Sequence, residues 1–278
     1  MRTRFFVLAL LPLAGLLVAT LAAARSQTAP LAEMATVATV EMKDMTWEDV
    51  DGLVKGGATT VIVPTGGIEQ NGPHMVLAKH DHIVGHAAKQ IAAQLGRTVV
   101  APVVSYVPEG GFEPASGNML FPGTIGISEV AFTGVLEGIA QSLKMAGFKL
   151  ICFIGDHGQS QAAQKAVADR LTLAWAASGV RVVTIDAYYD DSQQNRRLLA
   201  AGETEASIGF HAGLVDTAEL MAVHPAGVDL ARDRPQGLFR VTGASGAPAR
   251  ATPELGRSLL DMRIKAAVGQ IRTLMQPK

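Results

Sequence analysis

Two periodicities alternate along this chain. Continuous apolar runs at Thr59–Val63, Thr98–Val104, Lys149–Ile154 and Arg181–Ile185 have the character of strands buried on both faces of a sheet. Between them apolar residues recur every three or four positions. That spacing predicts helices from Thr46 to about Lys55, from Asp81 or His82 to Leu95, from Glu129 to Ala146 and from Gln161 to about Ser178. Thr46 followed by Glu48 and Asp49 is a helix start with acidic first-turn residues. Past residue 185 the pattern is more polar, with a helical piece near 193–200 and a helix from Val215 to Val223. A loop-dominated stretch follows from Gly227 to Pro253. The last helix, Glu254–Met275, carries Leu255, Leu259, Met262 and Ala266 along one stripe and Leu260, Ile264, Val268 and Ile271 beside it. Strands alternating with helices from 46 to 185 predict an α/β fold with a mostly parallel central sheet and helices on both faces. The carboxyl ends of such strands share one edge, so loops far apart in sequence can meet there.

The polar positions worth following cluster after the first buried strand. Residues 60–86 read TVIVPTGGIEQNGPHMVLAKHDHIVGH, and four of the seven histidines lie between His74 and His86. A second polar turn, Gly155-Asp156-His157-Gly158-Gln159-Ser160, directly follows the third strand. A third, Phe210-His211-Ala212-Gly213, precedes the helix that contains Asp216. The Gly- and Pro-rich segment 105–128 has no periodicity, and a connection that long is usually functional or mobile. It is expected to close over a pocket, with Phe112, Asn118 and Phe121 as substrate contacts.

Composition narrows the function classes. The first 24 residues have the order of a secretory signal: Arg2 and Arg4, an apolar run from Phe5 to Val18, then Ala22-Ala23-Ala24. The expected organisation is a signal peptide over 1–24, an arm over 25–45 and one domain over 46–278. The product is an exported, periplasmic or secreted protein without stable membrane attachment after cleavage. A net charge of −1 with no dense Lys/Arg run offers no footprint for nucleic acid, which leaves a small-molecule partner. The single cysteine, Cys152, lies inside an apolar run and is expected to be inert core.

Glu69, His74, His80, Asp81, His157, His211 and Asp216 all fall on turns after strands or near glycines. Carboxylates and imidazoles suit a divalent cation such as zinc or manganese, and an ion held by three protein groups can activate water or polarise a carbonyl. His82 and His86 sit four apart on a helix without the glutamate of a zinc-protease helix and read as structural, as does His224 before Pro225. Asp156 and Glu219 read equally well as helix-cap or solvated-face carboxylates.

Five ordered motifs resemble those of the creatininase (creatinine amidohydrolase) family. Pro64-Thr-Gly-Gly-Ile-Glu69-Gln-Asn-Gly-Pro-His74 is similar to its P-x-G-S-x-E-Q-H-G-P-H signature, and Phe121-Pro-Gly-Thr124 to its F-P-G-T. Gly155-Asp-His157-Gly158 resembles its N-G-H-G. His211-Ala-Gly213 with Asp216-Thr217 resembles H-A-G-x-x-E-T, and Gly246 to Thr252 resembles G-x-P-x-x-A-T. The resemblance implies a three-layer α/β sandwich, a divalent-metal site, hydrolysis of C–N bonds in small amides, and a homo-oligomer, often a hexamer. It makes Glu69 and His157 metal ligands.

The chain departs from the pattern at three ligand positions. Asn71 and Gln159 stand where a histidine and a glutamate are expected. The aspartate position falls on His80, or on Asp81 if one residue is inserted. Neutral amides are weak ligands for zinc, so the expectation is one ion held by Glu69, His80 and His157. Asp216 or Asp81 would serve as fourth ligand or base, and His211 would serve the leaving nitrogen. Asn71, His74, Asn118, Phe121 and Gln159 would contact substrate. A second reading of the same departures is a family member that binds a small polar solute without turning it over. A third keeps hydrolysis but moves it to a lactone or sugar-like ring.

Overall fold

The computed structural model of the protein describes residues 39–233 and 239–276. The expected signal segment and most of the arm lie outside the described residues. The end of the arm lies along the sheet, where Val100 N–H donates to the Val40 carbonyl at 2.8 Å and Glu41 bridges to Val100.

Helix α1 (Trp47–Lys55) starts where its cap residues dictate. Asp49 N–H donates to Thr46 Oγ1 at 3.2 Å while the Asp49 carboxylate accepts from Thr46 N–H at 2.8 Å, a reciprocal capping box. The chain continues through β1 (Thr60–Thr65), α2 (Lys79–Leu95), β2 (Thr98–Val100), α3 (Glu129–Met145), β3 (Leu150–Gly155), α4 (Gln161–Ala174) and β4 (Arg181–Thr184). Short helices α5 (Asp186–Tyr189), α6 (Ser192–Ala200) and α7 (Glu205–Ile208) lead to α8 (Leu214–Val223), α9 (Phe239–Thr242) and the long α10 (Pro253–Met275).

The four strands form one sheet in the order β2-β1-β3-β4, all parallel. Successive residues alternate between its faces. Ile62, Cys152 and Ile154 pack with Ile83, Ala87 and Ile91 of α2 and Ile264, Val268 and Ile271 of α10. Val61, Val63, Ile151 and Phe153 pack on the other side with Phe132 and Leu136 of α3 and Val167 and Leu171 of α4. Burying one such side chain contributes about 1.5–3 kcal/mol, and with both faces covered the expected three-layer α/β architecture follows. Among the described residues no helix is long and apolar enough to cross a membrane.

Two boundaries differ from the periodicity. Strand β2 stops at Val100 instead of Val104: Ala101 N–H still donates to the Ile62 carbonyl at 2.8 Å, and an extra residue at Pro102-Val103 then interrupts the ladder. Pairing resumes beyond it, with Val104 N–H donating to the Pro64 carbonyl at 2.9 Å. Helix α2 begins at Lys79, two to three residues earlier than expected, which turns Lys79 and His80 into first-turn residues.

What positions the site is the neighbourhood of β1 and β3. Their register pairs Thr65 with Gly155, so both strands end side by side. The chain leaves β1 toward β2 on one flank and continues from β3 toward β4 on the other. This reversal opens a crevice beyond the carboxyl ends.

Helices α8 and α10 meet at Gly256, where a Cβ would lie 1.8 Å from the Ala218 carbonyl oxygen. Gly256→Ala is expected to destabilise the protein by about 1–3 kcal/mol through overpacking. Gly269→Ala, in the same helix with open space around it, is expected to stabilise it by about 0.5–1 kcal/mol. Urea unfolding of the two variants should therefore move in opposite directions. Burial pushes the Cys152 thiol up to about 12, so a thiol reagent at pH 8 should label it only as the protein unfolds.

Candidate metal centre

Glu69 lies four residues past β1 with its side chain 1% exposed. The turn that carries it passes against the start of α2, and a Cβ on Gly66 would lie 1.9 Å from Asp81 Oδ1. Only glycine permits that approach. Gly67 N–H donates to the same Asp81 oxygen at 3.0 Å, so Asp81 fastens the turn and His80 is the residue that meets Glu69. The rest of the turn is closed by Glu69 N–H donating to the Leu77 carbonyl at 3.1 Å.

The two oxygens of Glu69 face different partners. His80 Nε2 is 2.7 Å from Oε1, and His157 Nε2 is 3.0 Å from Oε2. Lys79 Nζ is 3.5 Å from Oε1, and Asn118 Nδ2 donates to Oε2. Burial alone would raise the Glu69 carboxyl, but His80, His157 and Lys79 hold it well below the usual carboxylate range. Glu109, from the long connection, lies 3.1 Å from His157 Nε2 through its Oε2. Its own carboxyl is raised by burial, only partly offset by His157. Burial would lower His157, yet Glu109 and Glu69 lift it to about 9.

Behind this cluster stands a buried ionic network. His80 Nδ1 is 2.8 Å from Asp156 Oδ2, so the imidazole presents Nε2 to the site from a carboxylate brace. Asp156 Oδ1 accepts from Tyr188 Oη at 3.0 Å and from Arg263 Nη2 at 2.5 Å, while Arg263 Nη1 donates to Glu219 at 2.8 Å. Despite its burial, Asp156 is driven far down by Arg263 and His80. Asp156 and Glu219 are thus neither helix caps nor solvated carboxylates. They anchor α10 and α8 to the site.

A cavity of about 380 Å³ opens onto these groups and is lined by Lys79, His80, Asn118, Gln159, His211 and Asp216 among others. His211 Nε2 lies 2.9 Å from the Gln70 carbonyl and its Nδ1 lies 3.8 Å from Glu69 Oε1. Burial and the Lys79 ammonium lower its pKa. Asp216, 28% exposed, accepts from Ala212 N–H at 2.7 Å and from Lys79 Nζ at 3.0 Å. Against its burial, Lys79 holds its carboxyl below the usual range. Phe210, 77% exposed, and Phe239 stand at the mouth with ring centroids 5.1 Å apart.

Of the residues expected to act here, Glu69, His80, His157, His211, Asp216, Asn118 and Gln159 converge on one cavity or its floor. Asn71 instead braces the turn, with Nδ2 donating to the Glu69 carbonyl at 2.9 Å and the Val76 carbonyl at 3.1 Å. His74 holds α8, its Nε2 3.0 Å from Thr217 Oγ1. Asp81, Phe121 and the half-exposed Phe112 do not line the cavity. His82 stacks on His224 at 4.0 Å, away from the site. Lys79, Glu109, Arg263 and Tyr188 were not foreseen. Arg263 left a signal, because it falls on the stripe of α10 that buries Leu260 and Ala267 and there needs a charged partner. Lys79 and Glu109 left none beyond their nearness to candidate residues.

One ligand atom from each of Glu69, His80 and His157 lies within 4.8 Å of the others. Two imidazoles and a carboxylate form a donor set suited to zinc or manganese. His80 is braced on its far nitrogen as metal-bound imidazoles usually are. Buried Glu109 Oε1 also has no hydrogen-bond partner among the described residues. The residues present fit a divalent ion.

A family model described as creatininase, creatinine amidohydrolase, matches residues 43–271. The creatinine amidohydrolase of Pseudomonas putida is 22% identical over 255 residues, covering 84% of this chain and 96% of that protein. A mycofactocin precursor peptide peptidase of Mycolicibacterium smegmatis is 28% identical over 223 residues, covering 76% and 84%. A solved manganese creatininase has the same fold, with TM-score 0.70 and 22% identity over 86% of this chain and 100% of that one. A creatininase variant solved in a zinc–zinc form matches with TM-score 0.70 and 22% identity over 86% and 99%.

Removing Arg263 leaves Asp156 and Glu219 buried without their cation. Arg263→Met is expected to cost about 3–5 kcal/mol at pH 7.5. Burial already raises the Glu219 carboxyl against the pull of Arg263, and without that cation it rises further, so stability is lost as pH rises and recovered as it falls. The deficit against wild type in urea unfolding should therefore shrink toward pH 5.

Proposed function

The chain belongs to the creatininase family, and from that premise we propose that it is an exported enzyme hydrolysing the C–N bond of a small linear or cyclic amide. The observation that carries the reading is the convergence of Glu69, His80 and His157 at the floor of a cavity sized for a small molecule. Family membership makes it a metal-dependent amidohydrolase. The substrate class and the roles below are our reading of the cavity.

Glu69, His80 and His157 would hold the ion. A divalent cation there supplies Lewis acidity, polarising a carbonyl and making water nucleophilic at neutral pH. The Gln159 carboxamide faces the cavity and orients the amide by hydrogen bonding, while Asn118 holds Glu69 and Glu109 through its Nδ2. His211 Nε2 lies 2.9 Å from both the Gln70 carbonyl and Gln70 Nε2, and in the tautomer that donates Nε2–H to the carbonyl the Nδ1 lone pair faces the cluster. Because its pKa is lowered, His211 is neutral at pH 7 and able to accept a proton. Water adds to the carbonyl carbon and gives its proton to Nδ1. The C–N bond then breaks as that proton passes to the leaving nitrogen, producing a carboxylic acid and an amine. Asp216, pinned by Lys79, keeps a fixed negative charge near His211 while the imidazole is protonated. The cavity's volume and its aromatic mouth favour a compact planar substrate over a long chain.

Activity on a panel of small linear and cyclic amides should vanish with a chelator and return with zinc or manganese. His157→Ala should lose the bound metal and lower kcat/KM by about 10³-fold or more, the several kcal/mol an ion supplies. Asp156→Asn should weaken metal affinity about 10–100-fold. Wild-type protein that takes up no metal under any loading would defeat the reading.

A further inference from the structure

We propose that Lys79 is a second cation built into the site, so that the cavity takes one divalent ion and not two. The proposal rests on the metal-dependent reading above and concerns what this chain has placed beside that ion. Lys79 is 1% exposed at the first position of α2, with Nζ 3.0 Å from Asp216 Oδ2 and 3.5 Å from Glu69 Oε1. These carboxylates come from separate elements, the turn after β1 and helix α8, and the ammonium is what lets them approach. The ammonium is thus paired on two sides by carboxylates at salt-bridge distance.

The geometry divides Glu69 between two cations. Its Oε2 and the His80 side of Oε1 face the three-ligand group. The remaining approach to Oε1 is toward Lys79, with His211 Nδ1 3.8 Å from the same oxygen. A second metal ion near Asp216 would need that approach and would have to share both carboxylates with a fixed positive charge. The side chains that might have helped are neutral or engaged. Asn71, its nitrogen on backbone carbonyls, has only a neutral carboxamide oxygen to offer, and Gln159 likewise offers only a carboxamide.

Charge points the same way. Glu69, Glu109, Asp216, Asp156 and Glu219 bring five negative charges to the buried site, and Lys79 and Arg263 bring two positive ones. Two divalent ions would leave it net positive, and only the loss of the Lys79 charge would bring that sum to zero.

The test is a manganese titration of the whole protein after chelator treatment, counting bound ions by elemental analysis and reading their coupling by electron paramagnetic resonance. Wild type should bind one equivalent with an isolated-ion spectrum, and Lys79→Arg should do the same. Lys79→Met should accept a second equivalent and show a spin-coupled pair. Two equivalents in wild type, or one in folded Lys79→Met, would overturn the role given to Lys79. Should Lys79→Met fold only with added metal, rescue by two equivalents supports the proposal and rescue by one overturns it. Wild type that binds no ion defeats the hydrolase reading itself, so the two failures are told apart.

Discussion

The rest of this structure answers to one buried carboxylate. Ionised Glu69, 1% exposed, would cost several kcal/mol if it were left without partners. Two imidazoles, an ammonium and a carboxamide from three other segments are gathered around it. Each segment is delivered by a different feature of the fold. The β1–β3 register places His157, the early start of α2 places Lys79 and His80, and the long connection after β2 brings Asn118 and Glu109. Excess positive charge then has to be met by Asp156 and Asp216, which explains why so many ionisable groups are buried at one sheet edge.

The start of α2 makes this balance tighter. A helix N-terminus carries partial positive charge, and cations in its first turn are unfavourable by a few tenths to about 1 kcal/mol each. Yet Lys79 and His80 occupy that turn, and Ala78 gives no side-chain cap. Glu69, Asp156 and Asp216 pair with those two side chains, and Asp81 is the acidic residue of the same turn. The helix thus begins at Lys79 because the site holds it there, whereas local propensity alone pointed to Asp81 or His82. The two- to three-residue discrepancy in this boundary has a tertiary cause.

That example marks what could be read in the sequence and what could not. The four strands, the major helices and the parallel sheet were legible, since buried strands and two-sided packing leave continuous apolar runs. The Thr46 cap was legible because it is encoded within four residues. Glu69, His80 and His157 were reachable from their turns and motifs. Lys79 and Glu109 were not, because a lysine beside a histidine and a glutamate in a glycine-rich loop look like solvated charges until their surroundings are known. Asp156 read equally well as a helix cap or a solvated carboxylate, since its partner Arg263 lies 107 positions away. Asn71 and His74 pointed at a substrate because polar residues in a motif turn suggest function. In the fold they satisfy backbone and helix contacts instead.

Arg263 shows how the outer helix enters the chemistry. It projects from α10 across Tyr188, with the guanidinium carbon 4.1 Å from the ring centroid, and joins Asp156 to Glu219. Asp156 in turn fixes the orientation of His80. The apolar stripe of α10 that seals one face of the sheet therefore also carries the residue that orients a metal-site imidazole. Packing of this helix and geometry of the site are then one constraint. Any loosening of α10 against α8 is transmitted through two hydrogen-bonded carboxylates to the nitrogen that faces Glu69.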